Sequence, residues 1–199
     1  MDKLVSDLMG GLGRLFGRKV TDAVSKTVSK AVSGKSKTYT FESLPQTVDE
    51  LKALPEAALT DVYAVAALSL LALTRFETDK EESIKMLNFL KGPDQLTPMA
   101  LQQISDRFMD GKFYKVNSFF EGATPANNYT PSTPYKIKVS STPYSFDNEN
   151  WAVLYLHSGG ADNPRPVKLR KKPSTGQWFI VEIQYLSDVR TPVAADKWA

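Results

Sequence analysis

The chain has 199 residues, 42% hydrophobic and 24% charged, with a formal net charge of +3. This length suits one domain of ordinary size with a small appendage, and the composition is globular rather than disordered or fibrous. Cysteine is absent and His157 is the single histidine, which excludes disulfides, thiolate metal sites, a cysteine nucleophile and any multi-histidine metal centre.

Charge is unevenly spread. Residues 1–37 hold eight Lys/Arg against three Asp, residues 38–110 six basic against twelve acidic, and residues 111–199 eleven basic against seven acidic. A basic segment thus precedes an acidic region, which precedes a basic one. Either the opposite halves face each other or are solvated, or a basic surface meets an anionic partner.

Residues 1–33 read as an amphipathic helix. Leu4, Leu8, Leu12, Leu15, Phe16, Val20, Val24, Val28 and Val32 recur at threes and fours, the helical spacing. The segment has no uninterrupted apolar run of seven residues, so a secretory signal is not expected and the cytoplasm is the expected location. Gly10, Gly11, Gly13 and Gly17 weaken the first half, each by ~1 kcal/mol relative to Ala. Such a helix orders only against something: its own domain, a second copy, a protein partner or a membrane surface, here the inner face of the membrane. Ser33 to Lys37 (SGKSK) reads as a linker, with residues 34–37 joining the helix to a domain over 38–199.

Residues 38–115 read as a helical block. Thr47 with Glu50 forms a capping box before a short helix that Pro55 ends. Residues 62–73 (VYAVAALSLLAL) are apolar all round, which predicts a central buried helix. At twelve residues this run is too short to cross a bilayer, and no apolar stretch of the chain approaches the ~20 residues of a span. Thr78 with Glu81 reads as another capping box, opening a helix with the stripe Ile84, Leu87 and Leu90, stopped by Gly92 and Pro93. Thr97 and Pro98 open a fourth helix, with Leu101, Ile104 and Phe108 as its buried stripe, ended by Gly111.

From about 131 to 190 the period becomes two, predicting a small antiparallel sheet. Tyr135, Ile137 and Val139 alternate with Lys136, Lys138 and Ser140. Residues 151–156 are apolar on both faces, which predicts a central strand. Arg165–Lys171 and Gln177–Ile183 form a hairpin around KPSTG (172–176), with Gly176 in the left-handed position. Pairing Lys171 with Gln177 segregates the apolar side chains, setting Val167 and Leu169 opposite Val181 and Phe179. The expected fold class is α+β: a helical block, then a small antiparallel sheet, behind an amphipathic helix.

Two surface features invite binding. Lys168, Arg170, Lys171 and Lys172 on the hairpin, with Trp178 among them, have the chemistry of a phosphate- and base-binding face. The alternative is a cationic edge that deters aggregation or docks on the acidic block. The long loop 119–135 carries Asn127, Asn128 and Tyr129, amide and hydroxyl groups beside aromatics, which suit a polar groove. The alternative is an ordered connector. Nothing supports catalysis: His157, Ser158 and Asp162 lie too close in sequence for a triad, and no GxSxG, GxGxxG or phosphate-loop motif is present. No cofactor and no metal are expected.

The stretches LPQTVDELKALPEAALTD (44–61), MLNFLKGP (86–93), RFMDGK (107–112), FFEGATPANNYTPSTPY (119–135), GGADNPRPVKLRKK (159–172), GQWF (176–179) and RTP (190–192) together resemble a bacterial family of unknown function, common in anaerobic Gram-positive bacteria. The resemblance covers about residues 38–199. It implies a single α+β domain behind a variable N-terminal segment, and supplies no activity, substrate or catalytic residue.

The leading expectation is a non-catalytic intracellular interaction or assembly module. Residues 1–33 recruit a protein partner, a second copy or a membrane surface, and the domain binds through the 119–135 loop and the basic hairpin. The alternative is nucleic-acid or polyanion binding through 165–172, disfavoured by the domain's near-balanced charge. An enzyme is the least supported class.

Overall fold

A computed structural model describes residues 34–198. The predicted helix over 1–33, with Leu4, Leu8, Leu12, Leu15 and Phe16, lies outside the described residues.

The described chain opens on a strand. β1 (Ser36–Phe41) pairs antiparallel with β2 (Tyr135–Ser140), and Tyr39 lies opposite Ile137. This corrects the reading of 34–37 as a linker and of 38 as the start of the helical block. Ser36 and Lys37 belong to the sheet, and Thr38 and Thr40 alternate with Tyr39 and Phe41 as a half-buried strand requires. The helical block is inserted between the first and second strands.

Among the described residues, four of five α-helices start at a side-chain cap. α1 (Val48–Ala53) starts at Thr47, whose hydroxyl accepts the Glu50 amide. α2 (Val62–Thr74) starts at Asp61, which accepts the Tyr63 amide, and Val62 to Leu73 are all buried. α3 (Lys80–Lys91) is capped by Asp79, not by the predicted Thr78, and ends on Gly92. Asp79 accepts the Glu82 amide, so the capping register lies one residue later. α4 (Pro98–Phe108) starts at Thr97. α5 (Tyr114–Asn117) is one turn.

The sheet has the order β1-β2-β3-β4-β5, all antiparallel, with β3 (Trp151–Leu156), β4 (Arg165–Lys172) and β5 (Gln177–Ile183). α2 packs against all five strands. Its neighbours on the inner sheet face are Ile137, Val139, Ala152, Leu154, Leu156, Val167, Leu169 and Ile180, which join one core with α2. Fully burying each large aliphatic side chain contributes roughly 1.5–3 kcal/mol. Tyr185, past β5, closes this core with its hydroxyl on Ser69 at 2.8 Å.

The β4–β5 register differs from the predicted one by a residue. Lys172, not Lys171, lies opposite Gln177, and Leu169 lies opposite Ile180. The irregularity between Lys168 and Leu169 then sets Val167 opposite Ile183. The turn is one residue shorter than KPSTG: Pro173 to Gly176, with the Gly176 amide on the Lys172 carbonyl and Gly176 at φ +72°. The slip puts Ile180 inside at 1% exposure, where the predicted register had it outside. The free edge of β5 is covered from the helical side: the Trp178 amide donates to the Leu59 carbonyl, and Lys91 Nζ to the Val181 carbonyl.

Candidate functional site

Among the described residues, helices pack on one face of the sheet. On β3 the inward set is Ala152, Leu154 and Leu156, and the outward set is Trp151, Val153 and Tyr155, all half-buried. Arg170 lies directly opposite Trp151, and Lys168 opposite Val153. Directly paired residues share a face, so both cations stand beside the indole. Lys168 Nζ lies 5.0 Å and the Arg170 guanidinium 5.1 Å from the Trp151 ring centroid. At such distances each contributes about 0.5–1 kcal/mol at an exposed site.

Beyond this centre the outer face carries charge of both signs: Asp147 and Glu149 line the groove beside Trp151 and Lys168, and the cations of β2 lie toward the other end of β3, where the Lys138 carbonyl accepts the His157 amide. Lys136 and Lys138 of β2 alternate outward from the buried Ile137 and Val139. Lys168 pairs with Glu182 at 3.4 Å, and Lys136 with Glu121 at 3.8 Å. Lys138, Arg170 and Lys172 form no ion pair with a described residue. Just past β3, His157 Nε2 sits 2.9 Å from Ser140 Oγ. Burial, then the charge on Lys138, hold the imidazole below its ordinary pKa. The serine beside His157 in space is therefore Ser140. Ser158 bonds to Ser118 and Gly160, and Asp162 pairs with Arg190.

The predicted binding residues divide. Lys168, Arg170 and Lys172 alternate onto the outer face, whereas Lys171 and Trp178 lie opposite each other on the face shared with Leu169 and Ile180. Lys171 Nζ is 5.9 Å from the Trp178 ring, and Trp178 packs against the core. The aromatic partner of the basic hairpin is thus Trp151. The predicted both-faces-apolar strand concealed it, although its outward set alone carries two large aromatics.

The 119–135 loop spends its polar groups internally. Asn127 Oδ1 accepts the Thr124 amide at 2.9 Å, and its Nδ2 donates to the Gly122 and Thr130 carbonyls. Tyr129 is fully buried, stacked on Tyr114, with its hydroxyl on the Arg190 carbonyl at 2.8 Å. Of the three predicted groove residues only Asn128, exposed at φ +54°, has an uncommitted side chain among the described residues. The loop is an ordered connector rather than a groove.

Among the described residues no three His, Asp or Glu side chains converge as metal ligands, and no helix is long and apolar enough to cross a membrane. No curated protein and no solved structure matches the chain. A family model does match, over residues 43–193, and its description is a domain of unknown function, DUF6935. Since that match spans well over half of the chain, the protein belongs to the DUF6935 family.

Proposed function

We propose that the chain is a non-catalytic interaction module whose outer sheet face docks an acidic surface of a partner protein. The observation that supports this most directly is Trp151, flanked by Lys168 and Arg170 on the sheet face opposite the described helices. An acidic group brought to Arg170 beside Trp151 meets a cation that forms no ion pair with a described residue. Indole and guanidinium are also the side chains that most often anchor interfaces. Complementary charge speeds the encounter and fixes orientation.

A nucleic acid is the second reading. The domain from residue 38 onward carries 17 basic and 19 acidic residues, without the domain-wide positive excess that phosphate backbones select. Glu182 and Glu121 also stand among the cations.

The basic, amphipathic sequence of residues 1–33 supports the other half of the proposal. It acts as an arm that recruits a protein partner, a second copy or the inner face of the membrane, and the cytoplasm is the location this reading assigns to the module. Liposome flotation of the chain with and without residues 1–33 tests the lipid branch, and light scattering of the same pair tests self-association.

The docking face is tested by fluorescence anisotropy of the full chain with a labelled glutamate-rich peptide and with a single-stranded oligonucleotide, at low and physiological salt. The peptide is expected to bind, and to bind less as salt rises. Preference for the oligonucleotide favours the polyanion reading, and binding of neither overturns both.

A further inference from the structure

A second region holds cations whose sets of partners are incomplete among the described residues. A cleft of about 960 Å³ lies between the end of α3, α4, the start of β4 and the segment 181–188. This is the size range of small-molecule sites. Its walls include apolar side chains, Leu96, Ile104 and Leu186, and the cations Lys91, Arg107 and Arg165.

Lys91 is only 9% exposed. An ammonium has three hydrogens to donate, and among the described residues Lys91 Nζ has one acceptor, the Val181 carbonyl at 3.1 Å. No described carboxylate lies within ion-pair distance. Burial lowers its pKa, against the pull of Asp94 and Glu182. Arg165 shows the same deficit. Its Nη2 donates to the Asp188 carbonyl at 2.7 Å, while its Nε is buried with no partner. Its contact with the Asp188 carboxylate is long, 3.9 Å, and that carboxylate is 82% exposed. The other acids of the cleft are engaged elsewhere: Glu182 with Lys168 and Gln184, and Asp106 with Gln102.

A buried cation is costly unless an acceptor completes it. A lysine in the last turn of α3 suits the helix dipole, but a solvated one would do the same, and the dipole leaves Arg165 Nε unexplained. We infer that the cleft binds a small oxyanionic ligand, a carboxylate or phosphate ester, whose oxygens are gripped by Lys91 and Arg165 and whose carbon skeleton lies against Leu96, Ile104 and Leu186. The cleft adjoins the docking face through Glu182, which pairs with Lys168, but neither Lys91 nor Arg165 belongs to that face.

The test is an NMR titration of the full chain with inorganic phosphate and, separately, with succinate, at constant ionic strength. Saturable shifts at residues 91, 165 and 181–188 are expected with at least one probe, and the probe that saturates identifies phosphate or carboxylate as the recognised group. Lys91→Met, similar in length and without the charge, is expected to weaken binding roughly ten-fold or more while leaving the protein folded and its melting temperature unchanged or higher. Arg165→Gln provides the second variant, with the same loss of binding. Absence of saturable shifts with both probes overturns the inference. So does binding that survives both substitutions.

Discussion

The phenol of Tyr39 donates a 2.7 Å hydrogen bond to the carboxylate of Asp61, joining β1 to the first turn of α2. The same carboxylate accepts from Lys37 at 2.7 Å and from the Tyr63 amide at 3.1 Å. Burial opposes its charge, but these bonds outweigh burial and hold the carboxyl below its ordinary pKa. Burial, then Asp61, raise Tyr39, which stays a neutral donor. One side chain thus caps the central helix and holds the edge strand.

Asp61→Ala is therefore expected to cost about 1–2 kcal/mol in urea unfolding at neutral pH, the upper range for a lost helix cap. The pH dependence has a definite sign. A carboxyl with its pKa lowered by folding contributes stability above the unfolded value, near ~4, and loses it as pH falls through the folded value. Urea midpoints measured downward from about pH 6 should fall more steeply for the wild type than for Asp61→Ala. Parallel slopes would show that the Asp61 carboxylate is not selectively stabilised.

Ser69 and Tyr185 predict an asymmetry. Ser69 Oγ donates to the Ala66 carbonyl and accepts from the Tyr185 hydroxyl, all within the core. Tyr185→Phe leaves Ser69 with its donated bond intact and should cost about 1 kcal/mol. Ser69→Ala strands a buried phenol and should cost more, about 1–3 kcal/mol. Thermal melts of the two variants check the order, and a larger loss in Tyr185→Phe would contradict it.

Asn127 separates architecture from binding. Its side-chain bonds close the 119–135 loop over Gly122, Thr124 and Thr130. Asn127→Ala should destabilise by roughly 1–2 kcal/mol and leave affinity for the acidic peptide unchanged at temperatures where the protein is folded. A calorimetric melt with the anisotropy titration reads both, and a selective loss of affinity would return the loop to the binding surface.

Much of the helical block was legible because its signals are local. Thr47, Asp61, Thr97, Pro98 and Gly92 mark boundaries from within their own turns. β1 was missed because its partner lies about a hundred residues on, at 135–140, and six residues around Tyr39 and Phe41 carry little signal alone. The β4–β5 register failed because turn length and an irregularity, not alternation, decide which of Ile180 and Val181 turns inward. The basic residues of the outer face were visible, but Trp151 was not, since alternation cannot say which of two apolar sets faces helices. Lys91 reads as a helix-end cation, and only the packing of α3 against β5 buries it.

The docking proposal rests on the cationic surroundings of Trp151, so Arg170→Glu gives its most direct measurement. Arg170 is exposed and has no described ion-pair partner, so the variant should fold with its melting temperature little changed. Its affinity for the glutamate-rich peptide should fall roughly ten-fold or more, about 1.4 kcal/mol, and the loss should shrink at high salt. An unchanged affinity in a folded Arg170→Glu variant would contradict the assignment of this face as the docking surface.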